Sequence, residues 1–112
     1  KIYPTMSKQK SGLIMNVLST CCLFNNPMTG SYSAAKDAME GISKILLKEV
    51  KGENIGVCNV YPGGTDTSFR AIPNHTYLKP ETVAKMMKAC IENEEGCVHD
   101  IVIRPHIEDN IA

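Results

Sequence analysis

Gly12-Leu13-Ile14-Met15-Asn16-Val17-Leu18 is an almost unbroken apolar run, short enough to be a strand buried on both faces. Working outward from it, Ser19 to Gly30 carries Asn25, Asn26, Pro27 and Gly30, the punctuation of a loop. A helix is then expected from about Ser31 to Lys51, because Met39, Ile42, Leu46 and Val50 recur at helical spacing as one apolar stripe. Ala34, Ala35 and Ala38 keep its first turns slim, and Gly52 is a natural stop. Ile55-Gly56-Val57-Cys58-Asn59-Val60 is a second strand-sized run, closed by Pro62-Gly63-Gly64. Strand, loop, helix, strand in that order reads as a βαβ unit with parallel strands.

Further along, 68–79 is irregular, and Pro80 opens another helix at its first position. Val83, Met87, Cys90 and Ile91 form its inward stripe, and Gly96 is expected to end it. Val98 to Arg104 makes a third strand, and Pro105 to Ala112 a short tail. The fold class is therefore α/β with a parallel sheet. Three such strands and two helices leave too few elements to cover both faces and both edges of the sheet. Lys1 stands where a Met would open a chain, and 1–10 reads as the end of an earlier helix. The expectation is a partial domain over 1–112, to be completed by further chain or by a partner.

Bulk composition narrows the function classes. The 112 residues carry 12 basic and 12 acidic side chains, a balance that gives no reason to expect nucleic acid or an anionic membrane as partner. No apolar run approaches a membrane span, and nothing at the start resembles a signal peptide. The five cysteines, an odd number with no C-x-x-C pair, read as reduced buried thiols of a cytoplasmic protein and not as a disulfide framework or zinc site.

Tyr32 and Lys36 stand four apart at the start of the long helix, on one face and one turn from each other. An ammonium near a phenol favours its ionised form; at about 4 Å and an effective dielectric of about 20 the attraction is on the order of 4 kcal/mol. Such a phenol can exchange a proton with a substrate oxygen. Alone, the pair is better read as a surface tyrosine beside a solvated lysine. Its position adds weight, since it follows a parallel strand whose carboxyl end is where open α/β sheets bind ligands. Ser19 closes that strand and can hydrogen-bond the oxygen that the tyrosine protonates. At the end of the next strand, Pro62-Gly63-Gly64-Thr65-Asp66-Thr67 keeps the backbone open to a flat ring, with Thr65 and Thr67 offering groups to a carboxamide.

Taken together, Gly12 to Ser19, Tyr32-Ser-Ala-Ala-Lys36 and Asn59-Val-Tyr-Pro62-Gly63-Gly-Thr-Asp-Thr67 resemble the successive motifs of the short-chain dehydrogenase/reductase family, in order and with the family's gaps. Val98 to Pro105 resembles the last strand of small bacterial-type members. The resemblance implies the C-terminal part of a Rossmann-type doubly wound parallel sheet. It also implies an NAD(P)-dependent oxidoreductase that interconverts a small-molecule alcohol and carbonyl, with NADP slightly favoured over NAD. Tyr32 would be the general acid/base, Lys36 would support its ionisation and hold the nicotinamide ribose, and Ser19 would orient the substrate. Pro62, Gly63, Thr65 and Thr67 would lie along the nicotinamide, while Cys21, Phe24, Met28 and the 68–79 stretch would flank the substrate by position. The resemblance further implies a dimer or tetramer formed through helix 31–51.

Several family features are missing, among them the residue that selects NAD from NADP, the Asn-Asn-Ala-Gly segment and the catalytic asparagine of the preceding helix. No glycine-rich G-x-x-x-G-x-G or G-x-G-x-x-G loop occurs in the 112 residues. Since pyrophosphate binding at a helix N-terminus supplies much of dinucleotide affinity, these residues alone are expected to bind cofactor poorly and to turn over little. Two other readings are a non-catalytic, oligomerising fragment and an unrelated flavodoxin-like binding module.

Overall fold

The computed structural model describes residues 2–108. Three parallel strands, β1 (Gly12–Val17), β2 (Ile55–Pro62) and β3 (Asp100–Ile103), form one sheet in the order β1-β2-β3. Gly12 pairs with Ile55 and Val17 with Val60, while Asn59 pairs with Asp100 and Pro62 with Ile103. The helices are α1 (Ile2–Gln9), α2 (Gly30–Glu49) and α3 (Pro80–Glu92), and short 3-10 turns lie at Thr20–Cys22 and His106–Glu108. Of the tail expected over 105–112, residues 109–112 lie outside the described residues.

β2 is the central strand and is buried on both faces. Because successive side chains alternate across a strand, Ile55 and Val57 face one way and Cys58 and Val60 the other. The first pair packs with Val50, Leu46 and Leu47 of α2, with Ile14 of β1 and with Met6 of α1. Cys58 and Val60 pack with Met87 and Cys90 of α3, Leu13 and Met15 of β1, and Val98 and Ile101. The molecule is thus layered helix, sheet, helix. Among the described residues one edge of β1 has no neighbouring strand, so its side chains are only half-buried and not enclosed as the apolar run led us to expect.

The expected stripe on α2 is corrected. Met39 is 43% exposed and Ile42 67%, whereas Ser43 is only 2% exposed. Asn16 and Asn59 reach the α2 side of the sheet, and an apolar side chain there would leave their amides unsatisfied. The Ser43 hydroxyl meets both: it donates to Asn59 Oδ1 and accepts from Asn16 Nδ2 at 2.9 Å. Asn59 Nδ2 in turn donates to Asp100 Oδ1 at 3.3 Å, which ties the network to β3. α2 is rotated to serve these polar partners, and Met39, Ile42 and Ile45 are left on the outer face.

Helix ends follow local chemistry. Gly52 takes φ 92° just beyond α2, and Pro80 occupies the first turn of α3 with Glu81 beside it. α3 stops at Glu92 and not at Gly96, because Asn93 turns extended and its side chain accepts from the Gly96 N–H at 3.3 Å. Val83, Met87 and Cys90 face inward as expected, but Ile91 is exposed. β3 is shorter than the expected 98–104, since its pairing with β2 runs only from Asp100 to Ile103. Residues 2–9 form a helix anchored by Tyr3 and Ser7, whose hydroxyls donate to the Glu53 carboxylate at 2.5 Å and 2.9 Å.

Candidate active site

Parallel strands bring all their carboxyl ends to one side, and the segments leaving those ends enclose an open cleft of about 1040 Å³. All ten residues singled out from the sequence line it: Ser19, Cys21, Phe24, Met28, Tyr32, Lys36, Pro62, Gly63, Thr65 and Thr67.

The β1 side supplies Ser19. It leaves the strand in extended conformation and caps the 3-10 turn at Thr20–Cys22, its Oγ accepting from the Cys21 N–H at 3.2 Å. The hydroxyl proton stays available to a second acceptor. Cys21 beneath it is buried, and Met28, at φ 64°, is fully exposed on the rim. Burial raises the neighbouring Cys22 thiol to about 11, and all five cysteines are free thiols.

α2 supplies Tyr32 and Lys36 from its first two turns. Lys36 Nζ donates to the Val17 carbonyl at 3.2 Å and sits 5.9 Å from the centre of the Tyr32 ring. The ammonium is thereby held between the end of β1 and the tyrosine, with two of its three protons left over. The Tyr32 hydroxyl has no hydrogen-bond partner among the described residues, and its ring faces Phe69 at 6.5 Å between centroids.

The turn after β2 lines the cleft and departs from the sequence reading at the Thr65 hydroxyl. Gly52 is the only positive-φ glycine among the described residues, so Gly63 and Gly64 are not needed for backbone freedom. They make room. A Cβ on Gly63 would come within 2.6 Å of Glu108 Oε2 and 3.2 Å of Arg104 and Pro105 carbons; one on Gly64 would strike the Glu108 carboxylate and approach the Tyr77 ring at 2.9 Å. Glu108 Oε1 accepts from the Gly64 N–H at 2.9 Å. The Thr65 hydroxyl, expected to face a ligand, donates instead to the Gly63 carbonyl at 3.0 Å, and the Thr65 carbonyl accepts from Arg70 Nε at 3.0 Å. Thr65 keeps its N–H and Thr67 its hydroxyl, neither with a partner among the described residues.

The loop from Thr67 to Leu78 forms the outer wall. Asp66 holds it, accepting from the Asn74 N–H at 3.1 Å and facing His75 Nδ1 at 3.0 Å, while a bridge links Thr65 to Leu78. The 68–79 segment, expected by position to flank the substrate, brings Phe69, Ile72 and Arg70 to the cleft, the last stacked 4.2 Å over the Tyr77 ring. Sequence reasoning left out Arg104 with Glu108. Opposite charges four apart at the end of the third strand were the signal for that last pair. Among the described residues no group of His, Cys, Asp and Glu could hold a metal, and no helix is long and apolar enough to cross a membrane.

The sequence model of the short chain dehydrogenase family matches residues 1–77. The 3-oxoacyl-(acyl-carrier-protein) reductase FabG of Thermotoga maritima is 32% identical over 115 residues, covering 91% of this chain and 47% of that protein. The 3-ketodihydrosphingosine reductase of Bacteroides thetaiotaomicron is 41% identical over 68 residues, 61% of this chain and 25% of that protein. Among solved structures, serine dehydrogenase from Escherichia coli superposes with TM-score 0.84 at 19% identity, over 96% of this chain and 46% of its own. An alcohol dehydrogenase from the archaeon Thermococcus sibiricus, complexed with 5-hydroxy-NADP, gives 0.84 at 17%, over 98% and 48%. At such identities these two speak for the Rossmann-type α/β fold alone. The chain spans about half the length of the first of these curated relatives.

Proposed function

The chain belongs to the short-chain dehydrogenase family, and from that premise we propose that it carries the proton-transfer half of an NAD(P)-dependent oxidoreductase site interconverting an alcohol and a carbonyl. The observation that carries this reading is the convergence of Ser19, Tyr32 and Lys36 on one cleft at the carboxyl ends of the strands.

In this reading the Tyr32 hydroxyl gives its proton to the carbonyl oxygen in reduction and takes it back in oxidation. Ser19, its oxygen fixed by the Cys21 N–H, donates to the same oxygen and holds it against Tyr32. Lys36 stabilises the negative charge left on the phenol. The Val17 carbonyl holds the ammonium in place, so little reorganisation is needed as that charge develops.

The donor set fits the nicotinamide end of a dinucleotide. The remaining Lys36 protons suit ribose hydroxyls, and the Thr65 N–H and Thr67 hydroxyl suit a carboxamide. When bound, the nicotinamide would supply or accept the hydride. Nothing comparable serves the phosphates, for the sequence has no glycine-rich loop. These 112 residues alone are therefore proposed to bind cofactor weakly and to turn over little. NADP is favoured over NAD on the resemblance to small bacterial-type reductases.

The exposed rim of Met28, Phe69 and Ile72 favours a substrate with an apolar substituent beside the carbonyl. The outer α2 face, with Ala38, Met39, Ile42 and Ile45 exposed, is the proposed contact between copies of the chain. The test is Tyr32→Phe in the full chain. It removes only a hydroxyl with no partner among the described residues, on a residue 43% exposed, so stability should stay within about 0.5 kcal/mol. Turnover should fall by about 10²- to 10⁴-fold. Undiminished turnover overturns the assignment.

A further inference from the structure

The C-terminal turn touches the cleft at three points that no family motif assigns. Glu108 Oε1 accepts the Gly64 N–H at 2.9 Å, and Glu108 Oε2 lies 3.5 Å from Arg104 Nε. The Arg104 guanidinium stacks over the Phe24 ring, 5.0 Å from its centre. Arg104 and Glu108 are both largely shielded, at 14% and 23% side-chain exposure. An ion pair so shielded is screened less than a surface one and holds its geometry better.

These contacts connect the ends of all three strands. Phe24 belongs to the loop after β1, Gly64 to the turn after β2, and Arg104 follows β3. Gly63 and Gly64 lack the Cβ atoms that would collide with the Glu108 carboxylate, so the turn is shaped to receive it. The same turn leads directly into Thr65 and Thr67. A carboxylate bonded to the Gly64 N–H fixes the peptide one residue before Thr65. The arginine stack fixes the opposite wall against the same carboxylate.

We infer that Arg104 and Glu108 are positioning residues, a brace that sets the Pro62-Gly63-Gly64-Thr65 turn against the Phe24 wall and so holds the nicotinamide side of the cleft in register. The fold of the turn is one half of this inference. Its functional half rests on the oxidoreductase reading above. Neither side chain is given a role in the proton or hydride step, so the brace acts on binding and not on the barrier.

The experiment uses the full chain with Glu108→Ala, Glu108→Gln and Arg104→Leu, in two readouts. Amide hydrogen exchange reports the Gly64 N–H directly. Glu108→Ala should lower its protection about tenfold or more, and Glu108→Gln, which keeps an acceptor oxygen, should restore part of it. Steady-state kinetics should show the KM for NADPH raised roughly tenfold in Glu108→Ala with kcat changed less than about threefold, and a smaller rise in Arg104→Leu. Unchanged Gly64 protection in Glu108→Ala overturns the brace. Changed protection with an unchanged cofactor KM overturns its functional half. If the unsubstituted full-length protein neither binds NADPH nor reduces any carbonyl, the oxidoreductase reading fails, while the exchange result still decides the brace. Glu108→Gln, the milder change, keeps the test open should the alanine variant fold poorly.

Discussion

Replacing Ser43 by Ala should destabilise the protein more than replacing its neighbour Ile42, although sequence periodicity assigns Ile42 to the core. On a 3.6-residue wheel Ser43 lies about 20° from Val50 and Ile42 about 80° away. Ser43→Ala deletes a hydroxyl that donates to Asn59 Oδ1 and accepts from Asn16 Nδ2. Asn59 Oδ1 keeps only the Asn16 amide, at 3.4 Å. A buried amide so deprived costs about 1–3 kcal/mol. Ile42 is 67% exposed, so Ile42→Ala removes about a third of a full burial worth about 1.5–3 kcal/mol, or about 0.5–1 kcal/mol. Improved helix propensity offsets both by a few tenths of a kcal/mol. Urea unfolding at dilute concentration, compared at equal m-values, measures the two costs. An Ile42→Ala cost that exceeds the Ser43→Ala cost, and does not vary with protein concentration, would show that α2 is rotated differently against the sheet.

Other outcomes follow from the same contacts. Gly64→Ala should weaken NADPH binding in the full chain, since the new Cβ displaces Glu108 or Tyr77; a fluorescence titration checks it, and unaltered affinity would argue that the turn yields freely. Met39→Glu with Ile42→Glu should shift sedimentation toward monomer, because two charges on the exposed α2 stripe oppose burial between copies. Burial pushes the Cys58 and Cys22 thiols up to about 11 from 9.0. The folded state therefore holds these protons longer than the unfolded one, and stability complete below about pH 9 should fall as pH climbs toward 11. Urea midpoints from pH 7 to 11 follow that loss, and a midpoint that rose across the window would contradict it.

The layered α/β architecture was legible because its signals are local. An apolar run, a loop with Asn and Pro, a long helical pattern and a second run closed by Pro62-Gly63-Gly64 each announce themselves within a few residues. The rotation of α2 was not legible. It depends on Asn16 and Asn59 reaching the same face of the sheet, a consequence of register, while hydrophobic periodicity counts only apolar positions. Thr65 shows the same limit at the site. Its hydroxyl looks available in sequence, yet the turn that brings it to the cleft also supplies the Gly63 carbonyl that binds it. Residue types announce which groups can bond; only the packed turn decides which of them are already bonded.

The gathering of the cleft follows from one topological fact. All strands of a parallel sheet end on the same side, so whatever follows β1, β2 and β3 must meet there. That rule made Ser19 and the turn at Pro62 candidates before any distance was known. Applied consistently, it also requires the residue following β3 to reach the cleft, and that residue is Arg104. Family motifs draw attention to residues that touch the reacting groups, and so pass over a pair whose contacts are with the turn and the wall. Those contacts still have a mechanical consequence. Thr65 and Thr67 can present a fixed pattern of donors only if the peptide before them is held, and Gly63 and Gly64, lacking side chains, cannot hold it by their own packing. The Gly63 N–H donates to the Ile103 carbonyl at 2.7 Å and the Gly64 carbonyl accepts from the Leu78 N–H at 3.0 Å, and Glu108 is the side chain that holds the Gly64 N–H between them.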